Sequence, residues 1–169
     1  AIDRLLRYER IVGELGRASR ADDGDDVVLR WECPVPDPYA RFLRDAALAG
    51  WVGLARGLLD APVTSPRVVY FEYAQPVAAE RVQYEEFFAC PVEFGAPFTG
   101  VRFPRDWLAL PLRSADAALG GLMDEHAARL LADFPAGLNL VNEVRSAIYH
   151  RLAAGEPDIE SVATGLGMG

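Results

Sequence analysis

Side chains that carry metal or redox chemistry are scarce in this sequence, which has two cysteines, two histidines and two methionines in 169 residues. Cys33 and Cys90 are too few for a disulfide framework and form no C-x-x-C pair. His126 and His150 would need further ligands to hold a metal or a haem, so neither a metal nor a cofactor is expected. No apolar run reaches ~18 residues, which argues against a membrane-spanning helix. Basic charge is not in excess either. The formal net charge is −8 and the pI about 4.8, whereas a bare nucleic-acid binder carries a basic stripe to displace phosphate counterions.

Catalytic patterns are missing as well. The P-loop, G-x-G-x-x-G, G-x-S-x-G and H-E-x-x-H do not occur. Glu85 and Glu86 are adjacent in a helical stretch and point ~100° apart, so they cannot flank one glycosidic bond. Cys90 precedes Pro91 among aromatics, the setting of a buried thiol rather than a nucleophile. The chain is therefore not expected to be an enzyme. Its opening residues carry charge from Asp3 onward, unlike a secretory leader, and begin with Ala1 instead of Met. A fragment of a longer, cytoplasmic protein is expected.

The residues present specify a folded chain: 51% are apolar and nothing is low-complexity. Ile2 to Leu15 has a helical stripe of Ile2, Leu5, Leu6 and Val12, with Arg4, Arg7, Glu9 and Arg10 on a solvated side. Gly16 to Arg20 forms a short strand, and Ala21 to Asp26 a turn. The four aspartates of that turn lack the spacing and closing glutamate of a calcium loop. In Val27 to Cys33, Val27, Leu29, Trp31 and Cys33 face one way and Val28, Arg30 and Glu32 the other, which completes a hairpin. Asp37 and Pro38 open a helix that runs to Leu59. Its inner face is expected to hold Phe42, Leu43, Ala46, Gly50, Leu54 and Leu58. Its small residues suit close packing on a sheet or the lining of a cavity beside Trp51.

Val68 to Leu112 organises the rest. Val69, Phe71 and Tyr73 share one strand face, and Val68, Tyr70 and Glu72 the other. Pro76 ends that strand. Ala79 to Phe88 is a short helix whose apolar members are Val82, Phe87 and Phe88, stopped at Cys90-Pro91. Strands at Val92 to Phe94 and Phe98 to Phe103 follow, parted by Gly95 and Pro97. Glu72 and Arg102 are strand charges, either pocket polar groups or solvent-face residues. Ser114 then caps a helix to Phe134 with the stripe Leu119, Leu122, Met123, His126, Ala127, Leu130, Leu131 and Phe134, ~30 Å long. The stripe suits an intramolecular core or a dimer interface equally. After a break at Pro135 to Gly137, Val141, Val144, Ile148 and Leu152 mark one helix. Asp158 caps another with Ile159, Val162, Ala163 and Leu166, followed by Gly167.

Phe71, Tyr73, Pro76, Tyr84, Phe87, Phe88, Cys90, Pro91, Val92, Phe94, Gly95, Phe103, Leu108, Pro111 and Leu112 stand in one register. This pattern resembles the effector-sensing region of the arabinose-binding-like subgroup of AraC/XylS bacterial transcription regulators. The stretch from Val141 to Met168 resembles the opening of that family's helix-turn-helix domain, with Gly169 where the family has serine.

The resemblance implies an α+β fold: a small, mainly antiparallel sheet packed with helices, then a long helix and a truncated all-α segment. Residues 1–136 would sense the effector and dimerise through the helix Ser114 to Phe134, giving a homodimer with no membrane partner. Residues 138–169 would open the DNA-binding domain, with Ile159, Val162, Ala163 and Leu166 as scaffold and the recognition helix absent. DNA would be bound through the full-length C-terminal domain. Strand parity and aromatic content select Trp31, Trp51, Phe71, Tyr73 and Phe94 as walls of a small-molecule pocket. The rival readings are a stand-alone small-molecule or haem sensor without DNA binding, and a small enzyme with an unrecognised site.

Overall fold

Alternating apolar residues make the sheet. The computed structural model describes residues 2–13, 16–35, 40–59, 65–113, 115–133, 144–145, 147–148, 151 and 158–168. The elements are α1 (Ile2–Val12), β1 (Arg17–Asp23), β2 (Asp26–Glu32), α2 (Ala40–Leu58), β3 (Val68–Phe71), α3 (Ala78–Phe88), β4 (Val92–Phe94) and β5 (Gly100–Pro104). A 3-10 turn (Arg105–Ala109), α4 (Ala117–Asp133) and α5 (Ile159–Gly165) follow. The five strands form one sheet in the order β1-β2-β5-β3-β4. Only β3 and β4 are parallel, because α3 supplies the crossover that parallel neighbours need. The expected α+β class is therefore what forms. No described helix is long and apolar enough to cross a membrane.

The strand parity holds. Leu29, Val101, Val69 and Val92 pair in sequence across four adjacent strands and lie on the inner face. Phe71, Tyr73 and Phe88 continue this core, and Leu48 and Val52 cover it from α2. On the outer face, Tyr70 packs on Phe98 with ring centroids 5.0 Å apart, and Arg30 lies 4.4 Å over Phe98. Gly100 permits this packing, since a Cβ there would sit 2.6 Å from the Leu29 carbonyl oxygen. The β1–β2 hairpin turns at Gly24, whose φ of +59° favours glycine. Along the outer edge of β1, the Ala18 N–H donates to Glu9 Oε2 of α1 at 2.7 Å.

The aspartates of the hairpin hold arginines. Asp22 meets Arg20 and Arg105 at 3.0 Å each, Asp23 meets Arg102 at 2.7 Å and Asp26 meets Arg67 at 2.6 Å. Their hydrogen bonds, Arg20's first, keep the Asp22 carboxyl below the usual carboxylate range.

Several helix faces differ from expectation. The inner face of α2 is Ala40, Arg44, Leu48 and Val52, whereas Phe42 is 75% exposed and Leu54 and Leu58 also reach solvent. The i, i+4 stripe was masked by an arginine at its centre, and Glu72 lies 3.4 Å from that buried Arg44. On α3, Val82 and Phe87 are exposed, and Tyr84 joins Phe88 against the core. Ala89, in the left-handed region at φ 54°, ends that helix. On α1, Val12 is exposed; Arg4 and Arg7 are exposed as expected, whereas Glu9 and Arg10 are half-buried and Glu9 accepts from the Ala18 N–H. Asp116 caps α4, accepting from the N–H groups of Ala118 and Leu119.

α4 packs beside α1 through Asp124, which receives the Arg4 guanidinium at 2.6 Å. Leu119, Leu122, Met123 and Leu130 of the expected stripe are exposed, as is His126. Asp158 caps α5 as expected, and Gly167 turns at φ +67°. Val162 is buried, Ala163 and Leu166 half-buried and Ile159 exposed. Asp37, Pro38, Ser114, Phe134, the break at 135–137, His150 and most of the helix expected from Val141 to Leu152 fall outside the described residues.

Phe71 is fully buried and contacts rings from β4 and α3. Phe71→Ala should therefore cost ~3–5 kcal/mol in urea denaturation. A loss below ~1 kcal/mol would show that the ring is not the hub of the core.

Candidate functional site

Three of the five residues selected as pocket walls come together. Phe71 stacks on Phe94 at 5.7 Å and 15°, and Tyr73 lies 4.9 Å from Phe71 and 5.8 Å from Phe94. Tyr84 closes the group edge-on, 5.3 Å from Phe94. These rings pack directly against one another, and Phe71 among them is fully buried. Trp31 stands apart and covers Gly16 so closely that a Cβ there would lie 2.3 Å from the indole.

A polar rim borders the rings. Asp45 of α2 accepts from the Tyr73 hydroxyl through Oδ1, and from the Tyr84 hydroxyl through Oδ2 at 2.9 Å. Arg41 reaches the Tyr84 oxygen at 3.5 Å and Glu80 at 2.8 Å. Burial, then the bonds to Asp45 and Tyr84, raise the Tyr73 phenol far above its ordinary pKa. Burial likewise pushes the Cys90 thiol up to about 11, so it stays protonated near neutrality.

Trp51 belongs to a different place. It lines a cavity of about 330 Å³ between α2 and the β2–β5 half of the sheet. The floor is Leu29, Val101 and Phe103. Val52, Ala55 and Leu58 of α2 form one wall, and Ile2 and Leu5 of α1 another. Trp107 and Leu108 of the 3-10 turn, with Leu110 and Leu112 beyond it, close the third. Trp107 is held by stacking on Phe103 at 5.7 Å.

The volume lies within the ~300–1,000 Å³ typical of ligand pockets. Among the described residues, the lining has no carboxylate, histidine or cysteine; Arg56 and Ser65 are its polar side chains apart from the two indoles. Arg56 directs Nη1 and Nη2 to the carbonyl oxygens of Phe87 and Phe88, both at 2.7 Å. Glu72 and Arg102, candidates for pocket polar groups, are not among the lining residues. Glu72 accepts from Thr99 Oγ1 and meets Arg44, and Arg102 meets Asp23.

One wall is also the approach to α4. Leu59 and Leu112 form a β-bridge, and the Arg113 N–H donates to the Leu58 carbonyl at 2.9 Å. The sequence offered Leu108 and Leu112 only as motif positions and Trp107 not at all. An aromatic just after a strand was the signal available for Trp107.

Tyr73→Phe removes a donor to a half-buried carboxylate, and a loss of about 1–3 kcal/mol is expected at pH 8. Because folding raises the pKa of this phenol above its unfolded value of ~10, its contribution to stability is complete below that pH and declines as pH rises past it. Urea melts at pH 8 and pH 10.5 check both points: the gap between wild type and Tyr73→Phe should narrow at the higher pH, and a widening gap would refute the assignment.

The family model for the arabinose-binding domain at the N-terminus of the AraC transcription regulator matches residues 1–112. The cavity lining, from Ile2 to Leu112, lies wholly within that match. The ornithine utilization regulator of Pseudomonas aeruginosa (strain PAO1) is 28% identical over 164 residues, covering 96% of this chain and 47% of its own length. The chain thus spans about half the length of the curated relative it matches. With 112 of 169 residues matched, this chain belongs to the AraC N-terminal arabinose-binding domain family.

Proposed function

We propose that this chain is the effector-sensing region of an AraC-type regulator. In this reading a small molecule enters the cavity between α2 and the sheet, and its occupancy is passed to a C-terminal DNA-binding domain in the cytoplasm. The observation that carries the reading is that the whole cavity lies inside the matched family span. The Leu59–Leu112 bridge gives a route outward, because filling the cavity presses on the segment that leads into α4. Residues 138–169 are proposed as the start of the DNA-binding domain, with α5, capped by Asp158, as its scaffold helix. The relative's name refers to ornithine for that protein; among the described residues, the lining of this cavity has no carboxylate to receive an ammonium group.

α4 is proposed as the face that meets a second copy. Leu119, Leu122, Met123 and Leu130 are exposed at helical spacing, with Leu122 62% accessible. Sedimentation equilibrium should find a dimer, and the double substitution Leu122→Glu, Met123→Glu should give a folded monomer. A wild-type chain that stays monomeric at high concentration would remove this face from the proposal.

The sensing reading is tested by gel shift with a regulator that carries this chain ahead of an AraC-type DNA-binding domain. Inducer should change operator occupancy, and Leu112→Arg should abolish the change while leaving basal binding in place. A response that survives Leu112→Arg would sink the proposed route.

A further inference from the structure

Resting on that reading, we infer that the effector is an uncharged, predominantly apolar molecule of about single-ring size. The chemistry of the walls carries this. The floor is Leu29, Val101 and Phe103, and the indoles of Trp51 and Trp107 provide flat apolar surface. A cationic ligand would lose its hydration and find no carboxylate among the described lining residues. An anionic ligand would have one guanidinium within reach, that of Arg56. Both of its terminal nitrogens already bond the carbonyls of Phe87 and Phe88 at 2.7 Å. Recruiting Arg56 would strip those donors from the end of α3, which has αL Ala89 as its C-cap.

The volume of about 330 Å³ sits near the lower end of the ~300–1,000 Å³ range for ligand sites, which favours a ring with short substituents over an extended chain. Ser65 and the indole N–H groups leave room for one hydroxyl or carbonyl on that ring. Apolar cavities of this kind accept aromatic hydrocarbons because the gain is burial of apolar surface, with no ion pair needed.

The protein itself supplies the reporter. Its three tryptophans are Trp31, Trp51 and Trp107, and the last two line the cavity. In a Trp31→Phe background, titration with toluene should therefore give a saturable change in tryptophan emission and a rise in Tm. L-arginine and L-glutamate should give neither. Ala55→Phe places a ring in the cavity from α2; it should raise Tm by itself and weaken toluene binding by about tenfold or more. Ala55→Leu, a smaller intrusion, should weaken it less, and circular dichroism checks that both variants fold. Toluene binding that Ala55→Phe leaves unchanged would overturn the site. Saturable binding of arginine or glutamate without a toluene response would overturn the ligand class and leave the sensing reading standing. Silence with every probe, in a folded protein, would overturn both.

Discussion

The structure depends on an unequal filling of one sheet face. Around Phe71, four neighbouring rings from β4, α3 and the chain just past β3 approach within 4.9 to 6.1 Å, and Phe71 itself is fully buried. Across β2 and β5 the inward residues are Val27, Leu29, Val101 and Phe103, and α2 lies over them without closing the gap. Aromatic packing is dense and directional, so it fixes the angle of α3 and the position of β4. α2 joins that buried cluster through Leu48 and spans the other side as a roof. The cavity follows from a helix held up at one side of its footprint.

Charge is handled by a single residue type. All seventeen basic residues of the chain are arginine. A guanidinium is a planar fork that can serve several acceptors at once, and the structure uses it so. Arg105 reaches Asp22 and the Gly24 carbonyl, and Arg56 holds two carbonyls at the end of α3. Most of these pairs are exposed and contribute little stability individually. Their role is positional: they tie the hairpin turn to β5 and the segment entering β3, and the end of α3 to α2.

Local periodicity made the strands legible. Val69 and Phe71 against Val68 and Tyr70 needed only the alternation of a pleated backbone, and the glycine of the hairpin turn and the cap at Asp158 were equally local. What stayed hidden required partners distant in sequence. The charge of Arg44 breaks the apolar i, i+4 series of the buried α2 stripe, and its acidic neighbour, Glu72, is twenty-eight positions away. Asp45 was one more helical aspartate until Tyr73 and Tyr84 were brought to it. Phe71, Tyr73 and Phe94 were chosen for a pocket because aromatics on one face suit either a wall or a core, and parity cannot separate the two. Trp51, from the same set, lines the cavity between α2 and the sheet.

The outer edge of β1 has a further consequence. A strand with open N–H and C=O groups invites another strand to add to it. Here the sequence Arg17–Asp23 is polar, and the Glu9 carboxylate already occupies the Ala18 N–H. Sheet-to-sheet polymerisation through this rim is thereby obstructed. Copies of the chain can accumulate without templating one another into fibrils from that side.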